Sequence, residues 1–362
     1  MPASATLPRS APAPSVRAAA VALPENYVDQ ESLIEVLRAH WGRKHFNVAR
    51  LEDLHRAVQV KGRHLALPLA EYPGLDTFAK CNDAWIRAAL DLGERAVRGA
   101  LERAGLRPRD VDQLFFVTVT GIATPSIDAR LANRLGLRSD LKRVPIFGLG
   151  CVAGAAGLAR AADALRGAPG EVSVLLSVEL CSLTLQREDL SIANIIASGI
   201  FGDGAAAVVL AGGDREGAGP RVSASRSTLY PGTERVMGWD LVDTGFKVVL
   251  SAEVPAITRA HVGEDVDGFL ASQGLDRSGI RHWIAHTGGP KVLQAFEAAL
   301  GLPRQALAAS WRSLAEVGNL SSASVLFVLE DLLASGRARP GDDGLLVAMG
   351  PGFCSELVLL RW

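Results

Sequence analysis

The chain has 362 residues, 48% of them apolar, and its 38 lysines and arginines balance 39 aspartates and glutamates, so the formal charge is −1. A chain this long and apolar can bury more than one large core, which excludes a largely disordered protein. The lack of a basic surplus argues against nucleic acid or an anionic membrane as the principal partner. Four dispersed cysteines without a C-x-x-C pair favour a reducing, cytoplasmic location.

The predicted elements alternate between helices and strands along the chain. Residues 1–18 are rich in Ala, Pro and Ser without a continuous apolar run, which predicts a disordered leader rather than a signal peptide. The longest uncharged stretch, 144–159, is too short to span a membrane, so we expect no integral membrane contact. Apolar spacings of three and four predict helices over 31–39 and 82–104. Short apolar runs predict strands at 113–120, 172–178, 205–210, 282–285, 345–349 and 356–360, which indicates an α/β layered protein.

Two parts of the chain resemble each other at a spacing of about 168 residues. The sequence 104–121 resembles 273–289, and Cys151 and Asn319 each begin a helical segment that a strand follows. Two such units at one spacing predict two similar halves joined by a glycine-rich loop. We therefore expect an N-terminal half over 19–215 and a C-terminal half over 216–362.

Cys151 lies where an apolar strand is predicted to turn into a helix rich in Gly and Ala. The free N–H groups and positive end of a helix favour a thiolate, which predicts a lowered pKa and a nucleophilic sulfur. A small buried cysteine in a tightly packed helix is equally compatible with the local sequence. The two alternatives stay open at this point.

His286 follows the apolar run of 282–285 and precedes a glycine turn, so it is placed to act on something outside the sheet, although a lone histidine is more often structural. Its H-x-x-x-H spacing with His282 does not predict a metal site, because the segment is a strand and no third ligand is evident. Asn319 is a good helix N-cap in its own right. If the two halves superpose, however, Cys151, His286 and Asn319 converge on one pocket suited to acyl transfer.

Five motifs occur in a fixed order around these residues. They are GLGCVAG around Cys151, IFGDGAAAVVL at 200–210, HTGGP at 286–290, GNLSSASVLF at 318–327 and MGPGF at 349–353. In this combination the chain resembles the chalcone-synthase-like (type III) polyketide synthases over nearly its whole length after the leader. The resemblance implies the thiolase fold, a five-layered αβαβα arrangement of two related halves, and a homodimer.

The same resemblance implies a ketosynthase that acts on coenzyme A thioesters, with acyl-CoA and malonyl-CoA as substrates and no metal or redox cofactor. Cys151 would carry the acyl group, and His286 would sustain its thiolate. Asn319 and His286 would hold the thioester carbonyl of malonyl-CoA and stabilise the enolate left by loss of carbon dioxide.

Residues around the pocket are also implied by the resemblance. Phe201 matches a gatekeeper phenylalanine between the coenzyme A tunnel and the cavity, and Val248 falls where plant enzymes have a second one. Thr124 matches a residue that reaches into the cavity of the partner subunit. Further substrate-binding predictions are Cys181, Thr184, Glu179 and Ser321, and the predicted coenzyme A-binding residues are Lys61, Arg63, Gly288 and Gly289. For the basic residues Lys61 and Arg63, the alternative is that they belong to a solvated surface.

The product is predicted from the small residues Cys181 and Val248 and from the segments 60–69 and 178–184. These look most like bacterial alkylpyrone and alkylresorcinol synthases, which predicts condensation of a medium- or long-chain acyl-CoA with malonyl-CoA to an alkyl-α-pyrone or alkylresorcinol. The alternatives are a tetrahydroxynaphthalene synthase that uses malonyl-CoA only, a ketoacyl-carrier-protein synthase III, and a non-catalytic thiolase-like partner protein.

Overall fold

The computed structural model describes residues 12–42 and 47–362. The strands are β1 Ser15–Ala22, β2 Asn26–Asp29, β3 Gly62–Leu65, β4 Gln113–Thr118, β5 Lys142–Phe147, β6 Val172–Leu180, β7 Asp203–Ala211, β8 Arg221–Leu229, β9 Met237–Val242, β10 Gly245–Leu250, β11 Ile280–Ala285, β12 Asp343–Gly350 and β13 Cys354–Arg361. The helices are α1 Gln30–Trp41, α2 Val48–Ala57, α3 Phe78–Ala104, α4 Ile127–Leu135, α5 Ala153–Gly167, α6 Ile192–Ile200, α7 Val254–Ser272, α8 Pro290–Leu300, α9 Ala308–Val317 and α10 Ser324–Ser335.

The main sheet repeats one strand arrangement twice. Its order is β11-β12-β13-β8-β1-β7-β6-β4-β5, and β1 meets β8 through Ser15 and Arg221. On one side, β1 pairs antiparallel with β7, β7 antiparallel with β6, and β6 parallel with β4. On the other side, β8, β13, β12 and β11 follow the same series of pairings. This topology agrees with the repeat seen in the sequence. The boundary expected between 215 and 216 lies in the loop from β7 to β8 and stays a prediction.

Helices enclose the two parts of the sheet and also separate them. α5 and α10 lie between the parts, where Leu158 and Leu329 pack with Leu175 and Val358. α3 and α4 cover the outer face of the N-terminal part, and α7, α8 and α9 cover that of the C-terminal part. The result is five layers in the order αβαβα, which is the thiolase fold. No helix in the described ranges is long and apolar enough to cross a membrane.

The six predicted strands and both predicted helices are present, with ends that differ by a few residues. The helix predicted at 82–104 is α3, which begins at Phe78 because the Thr77 side chain caps it and accepts a hydrogen bond from Lys80 N. Such caps move helix ends without any change in the apolar spacing that predicts the helix.

The leader predicted over 1–18 is wrong at its C-terminal end. Residues 1–11 lie outside the described part of the chain, but Ser15–Ala22 forms β1 in the middle of the sheet. Its alanines give little strand signal in the sequence. Small side chains fit here because β1 packs against α3 and α10. A Cβ added to Gly99 of α3 would lie only 3.2 Å from Ala20 Cβ.

Candidate active site

Cys151 lies in a short 3₁₀ turn, Gly150–Val152, between β5 and α5. The residue is 5% exposed. Gly150 has a φ of +56°, and a Cβ at this position would lie 2.7 Å from Pro351 Cδ. The turn therefore requires glycine both for its left-handed backbone and for its close contact with the MGPGF segment. This contact holds the cysteine at the start of α5.

Burial controls the protonation of Cys151. It raises the pKa of the thiol to about 12, the hydrogen bond to Ser321 opposes this, and the nearby Glu179 carboxyl adds to it. Burial therefore opposes the lowered pKa that the helix start predicts, because a thiolate at this position is removed from water. A nucleophilic sulfur here needs a neighbouring base that accepts its proton.

The side-chain amide of Asn319 has one fixed orientation. Its Oδ1 accepts hydrogen bonds from Ser321 N at 2.8 Å and from Ser324 Oγ at 3.2 Å. A backbone N–H can only donate, so the atom that faces it must be the amide oxygen. Within the described residues no acceptor holds Nδ2, and its two N–H groups are left for a bound carbonyl.

Ser321 joins this amide to the cysteine. Its φ of +49° lies in the left-handed region, which is uncommon for residues other than glycine. In this conformation its N–H faces Asn319 Oδ1, while its Oγ accepts a hydrogen bond from Cys151 Sγ at 3.7 Å. Ser321, predicted to bind substrate, therefore contacts both of the residues predicted to carry the chemistry.

The backbone of Asn319 pairs with the segment that carries Phe201. Asn319 N donates to Ile200 O at 2.8 Å, and Asn319 O accepts from Gly202 N at 3.0 Å. Phe201 and Asn319 thus form a short parallel bridge at the end of α6. The backbone of Asn319 therefore fixes the position of Phe201, the predicted gatekeeper.

His286 directly follows β11, and its N–H donates to Val347 O at 2.9 Å. It is 3% exposed, and its Nδ1 is buried with no hydrogen-bond partner among the described residues. Burial lowers the pKa of His286 to about 4, so the imidazole is neutral at pH 7. A neutral imidazole has a nitrogen lone pair that can accept a proton, although the burial that keeps the ring neutral also makes it a weaker base.

The glycine turn after His286 packs against the end of α6, which also pairs with Asn319. Gly289 has a φ of +130°, and a Cβ there would lie 2.7 Å from Ile200 Cδ1. Ile200 is also the residue whose carbonyl accepts from Asn319 N. The segments that carry His286 and Asn319 therefore both contact Ile200, and Ser321 joins the Asn319 segment to Cys151, while the side chains of His286 and Asn319 line neither of the two cavities described next.

Two cavities lie near Cys151. A chamber of about 30 Å³ is lined by Cys151 and Ser321, and a cavity of about 400 Å³ lies next to it. Thr184 lines the larger cavity only. The chamber is too small for more than the first carbons of an acyl chain, and the adjoining larger cavity offers space for the rest. The side chains that line both cavities are Cys181, Phe201, Trp239 and Val248.

Trp239 was missed by sequence reasoning, whereas the other three shared residues were predicted to bind substrate. It lies in β9 and contacts Phe246 of β10, with ring centroids 6.1 Å apart. No motif marks it, because a single tryptophan in a short strand is common in protein cores. Its place in the wall depends on how the β9–β10 hairpin folds over the pocket.

Glu179 was predicted to bind substrate, and the structure corrects this. It is fully buried and lines neither cavity. Its carboxylate accepts hydrogen bonds from Val119 N at 3.1 Å, from Thr120 Oγ1 at 2.9 Å and from Ser322 Oγ. Burial raises its pKa to about 7. Glu179 connects the end of β4 to the turn after Asn319 from behind the pocket.

Arg63 was predicted to bind coenzyme A phosphates, and this prediction is wrong. The residue is 1% exposed. Its guanidinium donates to Ser198 O at 3.1 Å, Phe201 O at 2.9 Å, Gly199 O and Gln30 Oε1. A cation at the C-terminus of a helix is favourable, and these bonds cap α6. The Arg63 guanidinium is therefore engaged inside the protein and not available to a phosphate.

Four further predicted residues line neither cavity. Lys61 is exposed immediately before β3, and Thr124 is exposed in the loop after β4. Gly288 and Gly289 form the turn after His286 but line neither cavity. Roles for these four residues in binding coenzyme A or the partner subunit stay predictions.

The structure places His282 in an ordinary contact and leaves the four cysteines unpaired. His282 Nε2 bonds Asp342 Oδ2 at 2.9 Å. In residues 12–42 and 47–362, no group of three or more His, Cys, Asp or Glu side chains is placed to hold a metal ion. Cys81, Cys151, Cys181 and Cys354 are free thiols.

Comparisons with known proteins identify the same class. A family model of chalcone and stilbene synthases matches residues 5–214 with its N-terminal domain and 221–362 with its C-terminal domain. A 1,3,6,8-tetrahydroxynaphthalene synthase of Streptomyces peucetius subsp. caesius is 54% identical over 351 residues, which cover 96% of this chain and 93% of the relative. A putative chalcone synthase of Bacillus subtilis (strain 168) is 37% identical, over 94% of this chain and 96% of the relative. The crystal structure of 1,3,6,8-tetrahydroxynaphthalene synthase from Streptomyces coelicolor A3(2) has a TM-score of 0.92 at 32% identity and covers 96% of this chain and 99% of that chain.

The thiolase fold, together with these matches, defines an acyltransferase that forms carbon–carbon bonds. The chain belongs to the chalcone and stilbene synthase family and is a type III polyketide synthase, which catalyses decarboxylating Claisen condensations of coenzyme A thioesters. The expected long-chain starter and alkylpyrone product are not supported by these relatives, which favour the tetrahydroxynaphthalene alternative.

Proposed function

We propose that this enzyme converts malonyl-CoA alone into 1,3,6,8-tetrahydroxynaphthalene. The observation that carries the proposal is the identity of 54%, over 96% of the chain, to a synthase of that name. The structural similarity to a second enzyme of that name supports it. Malonyl units that each lose carbon dioxide supply two carbons apiece, and five of them account for the naphthalene skeleton without any other starter.

In the proposed first step, Cys151 takes an acyl group from coenzyme A. Neutral His286 accepts the thiol proton, the sulfur attacks the thioester carbonyl, and the proton leaves with the coenzyme A thiolate. Transfer between two buried groups keeps the net charge of the site unchanged, which avoids much of the cost of ionising the buried thiol alone. Ser321 Oγ, 3.7 Å from Sγ, is placed to donate its hydrogen to the thiolate.

In the proposed extension step, Asn319 Nδ2 and His286 hold the thioester carbonyl of malonyl-CoA. Loss of carbon dioxide leaves an enolate whose oxygen these groups stabilise. The enolate carbon attacks the acyl carbon on Cys151, so a carbon–carbon bond forms and the carbon–sulfur bond breaks. The lengthened chain returns to Cys151 for the next round and extends past Phe201 and Trp239 into the larger cavity.

Incubation with radiolabelled malonyl-CoA, with and without lauroyl-CoA, tests the proposal. We expect tetrahydroxynaphthalene in both reactions. Products that form only when lauroyl-CoA is present would contradict it.

Cys151→Ala should abolish chain extension. Asn319→Ala should keep acylation of Cys151, seen as a mass increase, but should lower the rate of decarboxylation about 100-fold or more.

A fatty acyl starter is a second candidate because the larger cavity is mostly apolar. Its volume is about 400 Å³, and α1 and the β3–α3 connection supply aliphatic walls. Such walls suit an alkyl chain. The same incubation separates the two candidates, since labelled alkylpyrones or alkylresorcinols that form only when lauroyl-CoA is added would show this use of the cavity. The apolar residues in question are Leu33, Val36, Leu37, Leu65, Leu69 and Leu185.

The proposed homodimer rests on the exposed edge formed by β5. Five of the six residues of Lys142–Phe147 are exposed, and β5 is the last strand of the sheet. The apolar side chains of Ile122 and Phe147 are 52% and 50% exposed near this edge, and Thr124 lies in the adjoining loop. An unpaired strand edge favours pairing with another chain. Light scattering should give twice the chain mass of 38.1 kDa, and a mass of one chain would contradict the dimer.

A further inference from the structure

A chain of hydroxyl groups leads from the larger cavity to a buried carboxylate. Tyr72 and Ser182 both line this cavity, and Tyr72 Oη bonds Ser182 Oγ. Ser182 Oγ in turn donates to Oδ2 of Asp203, which is fully buried at the start of β7. None of these three residues has a part in the condensation steps described above.

The direction of the hydrogen bonds follows from their donors. The Asp203 carboxylate also accepts from Ser182 N at 2.8 Å and from Ala66 N at 2.6 Å. Burial raises the pKa of Asp203 to about 6, which leaves it ionised at pH 7. Because the hydrogen of Ser182 Oγ points to the carboxylate, the hydrogen of Tyr72 Oη must point to Ser182. A lone pair on Tyr72 Oη is left to accept a proton.

The other polar side chains in this part of the wall are occupied. Thr184 Oγ1 donates to Cys181 O at 2.8 Å, and Ser198 Oγ donates to Ile195 O at 2.8 Å. Asn194 Nδ2 donates to two backbone carbonyls at 2.7 Å. Tyr72 is thus a polar group of the cavity that is linked through a second hydroxyl to a buried base.

We propose that Tyr72, Ser182 and Asp203 form a proton relay that promotes aldol ring closure of the polyketide, a role that rests on the proposed function. A methylene of the polyketide between two carbonyls gives its proton to Tyr72 Oη. The phenol proton passes to Ser182 Oγ, and the serine proton passes to Asp203 Oδ2. The resulting carbanion attacks a ketone carbon of the same chain, and the new alkoxide takes the proton back through the relay.

The experiment compares the wild type with Tyr72→Phe, Ser182→Ala and Ser182→Thr, each given radiolabelled malonyl-CoA. Released carbon dioxide measures condensation, and chromatography measures the ratio of aromatic products to lactones. We expect Tyr72→Phe and Ser182→Ala to release carbon dioxide within about twofold of the wild type but to lower the ratio about 100-fold, the low end for a lost general base. Ser182→Thr keeps the hydroxyl and should restore the ratio.

Tyr230→Phe is the matched control, because Tyr230 Oη also bonds an aspartate, Asp265, but lines neither cavity. An unchanged ratio in Tyr72→Phe, or an equal change in Tyr230→Phe, would overturn the relay. So would a wild type that makes lactones only. Failure of the proposed function alone is distinguishable, because the wild type would then form an aromatic product other than tetrahydroxynaphthalene, either from malonyl-CoA alone or only with lauroyl-CoA. The comparison of ratios, repeated with that substrate, would still test the relay.

Discussion

At the residue scale, the site depends on hydrogen bonds that orient side chains rather than on the side chains alone. Asn319 can present Nδ2 to a carbonyl because Ser321 N and Ser324 Oγ both face its oxygen. Leu320 N donates to Ser324 Oγ at 2.7 Å, which directs the serine hydrogen toward Asn319. Ser324 is therefore a positioning residue, although it touches no cavity.

Ser324→Ala should lower the rate of malonyl-CoA decarboxylation about three- to tenfold, the value of one net hydrogen bond. Acylation of Cys151, read by intact mass, should be unchanged because the cysteine keeps its own contacts. Ser173→Ala is the control, since the Oγ of Ser173 is buried and has no partner in the described part of the chain. Equal losses in acylation and decarboxylation would show that Ser324 serves the fold instead of the amide.

Glu179→Gln should change how stability depends on pH. Burial raises the pKa of Glu179 to about 7, above the value of 4.5 expected when unfolded, so between these values the native state binds more protons than the unfolded state. Wild-type stability should therefore fall, relative to the variant, as pH rises from 5 to 8. Urea unfolding at both pH values measures this. A constant difference between the two proteins would refute it, and Glu71→Gln, at an exposed position, is the control.

At the element scale, α6 connects helices α1 and α2 to the active site. The Arg63 guanidinium caps the end of α6, and Gln30 of α1 donates to His55 O at 2.7 Å and to Gly199 O at 3.2 Å. The next residues of the chain carry Phe201 and pair with Asn319. A disturbance of this cap should therefore reach the site through the backbone.

Arg63→Met should lower the free energy of unfolding by about 2–4 kcal/mol, because it leaves buried carbonyl groups without donors. Arg63→Lys, which keeps the charge, should lose less. The dissociation constant of coenzyme A, measured by calorimetry with Arg63→Lys, should stay within about twofold of the wild type. Tenfold weaker coenzyme A binding at unchanged stability would instead restore the phosphate-binding role.

At the scale of the whole molecule, the two parts of the fold meet through α5 and α10. A Cβ added to Gly154 of α5 would lie 2.1 Å from Ser322 O, in the turn that precedes α10. The same turn contains Ser321 and directly follows Asn319. The contact between the two central helices therefore fixes how far Cys151 lies from the amide.

Gly154→Ala should cost about 1–3 kcal/mol of stability, the usual range for an overpacked core, and should also lower condensation. Gly167→Ala in the same helix is the control, because a Cβ at Gly167 meets no atom within 4 Å. Thermal unfolding and carbon dioxide release measure the two effects. Normal activity in Gly154→Ala would show that the helix contact is not coupled to the site.

Sequence reasoning succeeded where a signal is local. Apolar runs predicted β4, β6, β7, β11, β12 and β13, and the repeat agrees with the doubled strand order. It failed for β1, whose small residues are explained only by the helices on both sides of it. The residues of such a strand suit close packing rather than strand propensity, so the strand cannot be predicted from sequence before its neighbours are known.

The sequence by itself determined the family, and with it the fold and the class of reaction, because five motifs around Cys151, His286 and Asn319 occur in a fixed order. Only the tertiary structure decided what Arg63, Glu179 and Trp239 contact. Burial and hydrogen bonding depend on segments more than a hundred residues away, as in the bond from Arg63 to Phe201 O. Residue type and spacing along the chain carry no information about such distant partners until the layers have packed.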